Sequence, residues 1–217
     1  MARYSLKSHI FVYMKRIILF LFAVIVTLSA NAQATIKWYS FEDAVKLNQK
    51  APKKIFIDLY TDWCGWCKVM DRTTFADTVI AKYMTDNYYA VKFNAEGKDP
   101  VKFYGPMMKY DSLKKERVVV MDTVVFKYDP NQGRNGTHGL ALALTDGKLA
   151  YPTFVILDSN FQRLDIISGY QQAPVFETQI NFYGSGANLT VPYDQFVKEF
   201  KPKAVAPPQN NAAPGAH

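Results

Sequence analysis

Both cysteines of the 217-residue chain fall in one short motif, Cys64-Gly65-Trp66-Cys67, placed where the hydrophobic period changes. Before it runs KKIFIDLYT, residues 53–61, rich in β-branched and aromatic side chains, which predicts a strand buried on both faces. After it, WCGWCKVMDRTTF shifts toward helical spacing. Cys64 is therefore expected where a helix begins, among unpaired N–H groups and at the positive end of the dipole, which favour a thiolate. Cys67 follows one turn later, close enough to displace a mixed disulfide on Cys64. Two cysteines exclude a disulfide-stapled scaffold. A bridge this short also closes almost no loop, so it makes a poor staple. Zinc needs four ligands, or three and a water, and His138 is the only histidine outside the two ends of the chain, His9 and His217 being terminal. No metal is expected.

The flanking segments predict a βαβ unit. Ser40 before FEDAVKLNQK reads as an N-cap, with Glu42 and Asp43 on the positive end of the helix and Pro52 closing the segment. Residues 78–87 predict a second helix with Val79, Ile80, Tyr83 and Met84 on one face, and YYAVKFNAE, residues 88–96, the next strand. Strand, helix, strand in this order implies an α/β sheet.

Residues 97–150 are less regular. Gly105-Pro106 reads as a break. ERVVVMDTVVFKYD predicts an additional strand or hairpin, DPNQGRNG a loop, and HGLALALTDGK a short helix ending at Gly147, with His138 an ordinary loop or helix-start residue. YPTFVILDSNFQRLDIISGY predicts two strands joined by a turn at residues 158–160. Helices are expected over 174–182 and 193–200, and a Pro-, Ala- and Asn-rich disordered tail over 201–217.

The first 34 residues read as an address. Lys15 and Arg16 precede an apolar run from Ile17 to Ala30, shorter than the roughly 20 residues of a spanning helix. Ala30-Asn31-Ala32 and Ala32-Gln33-Ala34 both suit signal-peptide cleavage. A cleaved leader, no stable membrane span afterwards, and a periplasmic or secreted destination are expected. The leader holds four basic residues and no acidic one, so of the formal +7 only +3 (22 basic against 19 acidic) remains beyond it. That balance gives no reason to expect nucleic acid.

The segment IDLYTDWCGWCK, continued by TTFADTVIAKYM, resembles the active-site strand and motif of the thioredoxin superfamily, in particular the periplasmic C-terminal thioredoxin-like domain of DsbD and small exported thioredoxin-like proteins. YPTFVILD, residues 151–158, resembles the strand that carries the family's cis-proline. The resemblance covers roughly residues 35–96 and 148–180 and implies an α/β thioredoxin fold, a central mixed sheet flanked by helices, in a domain over 35–200. An insertion over about 105–135, before the cis-proline strand, goes with it.

The resemblance further implies that Cys64 is the nucleophile and Cys67 the resolving cysteine. Asp58 matches the buried acid that moves protons to and from Cys67, and burial would raise its pKa to suit. Lys92 matches the lysine that accompanies this acid, and Asp71 a position where the DsbD-type domain also has an acid; both would tune the cysteine pKa values. Pro152 in cis would set the Tyr151 backbone beside the disulfide to pair with an extended substrate. Trp63, with Gly65 and Trp66, would line the platform. Trp66 stands where thioredoxin has proline, which leaves the reduction potential open across roughly −270 to −120 mV.

The expectation is an exported thiol–disulfide oxidoreductase acting on disulfide-containing proteins, needing no cofactor and re-reduced by a DsbD-type membrane electron donor. Its rivals are a peptide-binding module without redox turnover and a disulfide oxidase. The redox reading requires the Cys64 sulfur to be ionised and accessible.

Overall fold

The computed structural model describes residues 14–17, 34–113 and 115–206. The expected leader therefore lies almost wholly outside the described residues, as does the chain beyond residue 206. Among the described residues no helix is long and apolar enough to cross a membrane.

The unit that begins at Thr35 is built on a five-stranded mixed sheet. Its strands are β1 (Trp38–Tyr39), β2 (Lys54–Tyr60), β3 (Tyr88–Asn94), β8 (Thr153–Leu157) and β9 (Arg163–Ser168), in the order β1-β3-β2-β8-β9. β2 pairs in parallel with β3 and antiparallel with β8. Helix α1 (Phe41–Lys50) starts at Ser40, whose Oγ accepts from the Asp43 N–H. Helices α2 (Gly65–Arg72) and α3 (Thr78–Asn87) form the crossover between β2 and β3. Asp77 caps α3, accepting from the N–H groups of Val79 and Ile80.

Because β2 runs down the middle of the sheet, its alternate side chains enter two different layers. Ile55, Ile57 and Leu59 join a cluster with Phe41 and Val45 of α1 and with Leu140 and Leu144. Phe56 enters the opposite layer, where its ring meets those of Phe75, Tyr88, Phe154 and Phe176. Asp58 shares that parity. The second layer is completed by α5 (Ala173–Gly184). Helix α6 (Tyr193–Glu199) follows it.

Between β3 and β8 the chain leaves the sheet. β4 (Val101–Asp111) and β5 (Glu116–Phe126) make one long antiparallel ribbon in which Gly105 is opposite Asp122 and Pro106 opposite Met121. The reading of Gly105-Pro106 as a break is thus corrected. In a two-stranded ribbon each strand keeps a free edge, so a residue without an N–H is tolerated there. A Cβ on Gly105 would come 2.1 Å from the Phe103 ring. The glycine is what lets that ring turn inward onto Phe41 and Phe161. A short ribbon of β6 (Tyr128–Asp129) and β7 (Thr137–His138) follows, and then α4 (Gly139–Thr145), capped by the His138 ring accepting from the Leu140 N–H.

The start of the expected disordered tail is also corrected. The backbone N–H groups of Lys203 and Ala204 both donate to Glu177 Oε2 at 2.6 Å, and Ala204 is buried. A buried carboxylate takes hydrogen bonds wherever they are available, and here the chain after α6 supplies them.

Candidate redox site

The strand β2 ends at Tyr60, and four residues later Cys64 caps α2: its Sγ accepts from the Cys67 N–H at 3.1 Å. Cys64 and Cys67 are joined by a disulfide. With only Gly65 and Trp66 between them, the two sulfurs span a single helical turn at the positive end of the dipole. The sulfurs are not open: Cys64 is 3% exposed and Cys67 4%, while the neighbouring Trp63 is 57% and Trp66 40% exposed. The Cys64 sulfur expected to be accessible is thus covered in the disulfide form, while the neighbouring indoles are exposed.

The indoles are paired. Trp63 meets Tyr151 edge-on at 5.7 Å, and Trp66 leans on Tyr170 at 5.0 Å. The Tyr151–Pro152 peptide is cis, and the Pro152 carbonyl accepts from the Gly169 N–H of the neighbouring chain segment. Burial, and then the charge of Glu96, push the Tyr151 hydroxyl up to about 12. It is neutral at any physiological pH.

Asp58 on β2, Lys92 on β3 and Asp71 on α2 form a charged trio. Asp58 and Lys92 are Cα partners across the parallel ladder of β2 and β3. Lys92 Nζ lies 3.2 Å from Asp58 Oδ2 and also grips Asp71, on α2. The approach to Asp58, 1% exposed, is that of an ion pair, and among the described residues neither carboxylate oxygen has a geometrically aligned hydrogen bond. Burial pushes the Asp58 carboxyl up from 3.8 to about 6, against the pull of Lys92, with Asp71 adding to the rise. Burial draws the Lys92 ammonium down, but Asp58 and Asp71 outweigh it and hold the lysine above its ordinary range. Its stem and charge also sit over the rings of Trp38, Tyr60 and Phe75 at 5.1, 5.4 and 5.6 Å.

The residues singled out from sequence thus fall into two sets of contacts. Cys64 and Cys67 are bonded to each other and Trp63 meets Tyr151, next to the cis Pro152, while Lys92 joins Asp58 and Asp71. Sequence reasoning missed Glu96, whose Oε1 accepts from Trp63 Nε1 at 2.9 Å, and Tyr170 behind Trp66. It also missed Asn135, whose amide donates to Glu96 at 3.2 and 3.4 Å. Neither Asn135 nor Tyr170 stands at a spacing that marks it. Glu96 could have been suspected only as the acid ending the strand that carries Lys92.

The sheet order, the CxxC pair opening α2 and the cis-proline before β8 are those of a thioredoxin fold. Residues 25–112, under half of the chain, match the family model Thioredox_DsbH, described as a protein of unknown function, DUF255. A curated relative, the uncharacterized protein B0495.5 of Caenorhabditis elegans, is 31% identical over 72 residues, 33% of this chain and 10% of its own length. The chain thus spans about a tenth of that relative. Among solved structures, a putative disulphide-isomerase from Bacteroides thetaiotaomicron is 21% identical with a TM-score of 0.42, covering 72% of this chain and 98% of that one. The oxidised C-terminal domain of Neisseria meningitidis DsbD is 16% identical with a TM-score of 0.38, over 69% and 98% of the two chains.

Proposed function

We propose that the protein is an exported thiol–disulfide oxidoreductase that reduces or exchanges disulfides in extracytoplasmic proteins. The observation that carries this reading is the Cys64–Cys67 pair at the start of α2, with a buried carboxylate whose pKa lies near 6 on the strand that leads to it. In the dithiol form, the Cys64 thiolate attacks a substrate disulfide. A Cys64–substrate bond forms, and the other substrate sulfur leaves and takes up a proton. Cys67 gives its proton to Asp58 and attacks Cys64 Sγ, forming the intramolecular disulfide and releasing the second substrate thiol. Two electrons pass to the substrate. A dithiol donor, such as a DsbD-type membrane protein, returns them by the reverse exchange.

Asp58 suits the proton-accepting role because a group with a pKa near 6 exchanges protons readily at neutral pH. The trio of Asp58, Asp71 and Lys92 carries one more negative than positive charge, and Asp71 lies one turn after Cys67. That balance disfavours a very acidic thiol and supports the reductase direction over a strong oxidase. Trp63, Gly65, Trp66, Tyr151 and Pro152 would receive the substrate as an extended strand. Export rests on the leader-like residues 1–34. The test is dithiothreitol-driven reduction of insulin. The chain should accelerate it and Cys64→Ser should not; equal rates with and without Cys64 end the assignment.

A further inference from the structure

The segment between β5 and α4 lies outside the five-stranded sheet, yet it reaches the redox rim through one hydrogen-bonded chain. The Asn135 side-chain amide donates to both oxygens of Glu96, and the same carboxylate accepts from the Trp63 indole beside Cys64. Glu96 is fixed from below, its backbone N–H donating to Asn94 Oδ1. Asn135 is fixed from its own side: Tyr128 Oη donates to its carbonyl. Tyr128 pairs with His138, whose N–H returns to the Ala95 carbonyl at 2.7 Å, next to Glu96. Gly136 completes the arrangement. It sits at φ +83°, and a Cβ there would fall 2.0 Å from Tyr128 Oη.

We propose that Asn135 is a positioning residue for disulfide exchange, holding Glu96 so that Trp63 stands as a fixed wall of the substrate groove. Trp63 is more than half exposed and has two free torsions. Left to itself it would sample several rotamers, and each substrate encounter would have to select one. A carboxylate can orient an indole N–H only if the carboxylate is itself held, and Asn135 occupies both of its oxygens. The chemistry at sulfur does not involve this chain of contacts, so its effect falls on capture of a protein substrate and not on the exchange step.

The inference rests on the disulfide-exchange reading, which wild-type turnover of insulin tests first. The decisive experiment is a polarity swap. Asn135→Asp places a carboxylate against Glu96 and should raise KM for insulin about tenfold with kcat nearly unchanged; Asn135→Ala should raise it about threefold. The double variant Asn135→Asp with Glu96→Gln reverses the bond. The amide introduced at position 96 then donates to the carboxylate introduced at position 135, while its carbonyl accepts from Trp63, and KM should return to within about twofold of wild type. Asn135 is exposed, so these changes leave the core intact. An active wild type with KM unaltered in Asn135→Asp, an effect confined to kcat, or a swap that fails to restore KM overturns the proposal. An inactive wild type would instead remove the reading beneath it.

Discussion

Lys92 and Asp58 face each other across the parallel ladder at 3.2 Å, and the lysine reaches past the buried acid to a second carboxylate, Asp71. One ammonium thus serves two acids of different exposure, and the less exposed of them lies on the strand that leads to the disulfide motif. That asymmetry ties the stability of the site to pH and, on the proposed function, its activity as well.

Asp58 makes the native state less stable as pH rises. In the unfolded chain its carboxyl ionises near 3.8; in the native protein it holds its proton to about 6. Between these values the native state binds more protons, so stability falls with rising pH and levels off above the native pKa. The difference corresponds to about 3 kcal/mol. Asp58→Asn should abolish this slope between pH 4 and 6 and raise the urea midpoint at pH 8. It should also slow insulin reduction by about tenfold or more at pH 7. Parallel stability curves for the two proteins across that range would contradict it.

Replacing Lys92 with Met removes the cation shared by two carboxylates. A buried charge that loses its partner costs about 3 kcal/mol. The loss should be full at pH 8, where Asp58 is ionised, and much smaller at pH 5, where it is protonated. Denaturant titrations at the two pH values give the comparison, and an equal loss at both rules out this account of the trio.

Cys67→Ser should accumulate a mixed disulfide between Cys64 and its substrate, because no second sulfur remains to displace it. Cys64→Ser should accumulate none. Non-reducing electrophoresis after exposure to an oxidised protein reads both outcomes, and the trapped partner identifies a client. Adducts of equal yield on both variants would reverse the assignment of nucleophile.

Phe56 is fully buried and meets five rings, those of Trp38 on β1, Phe75 after α2, Tyr88 on β3, Phe154 on β8 and Phe176 on α5. Phe56→Ala should cost about 3–5 kcal/mol, since so many rings cannot collapse into the space together. A loss below about 1 kcal/mol by thermal or urea unfolding would mean that this layer repacks freely.

Much of the fold is legible in local sequence. The switch from the β-branched run of β2 to helical spacing at Cys64, the Ser40 cap of α1 and the two strands around residues 158–160 each depend on neighbours within a few positions. Gly105-Pro106 misleads because a break and a ribbon edge have the same local chemistry. What distinguishes them is Phe103 folding back beneath the glycine, a contact with α1 far away in sequence. The first residues of the tail mislead in the same manner: nothing near Lys203 and Ala204 announces Glu177.

The chain by itself determined the cysteine pair at the helix start, because a strand, a cap and a helical turn place Cys64 and Cys67 within a dozen residues. It determined equally that Asp58 lies on β2 and Lys92 on β3. Only the tertiary structure decided which layer Asp58 enters, that its pKa rises to about 6, and that Glu96 and Asn135 stand behind Trp63. The reason is physical. Dipoles and caps act over one turn of backbone, whereas desolvation and hydrogen bonding to side chains depend on what the rest of the fold packs against them.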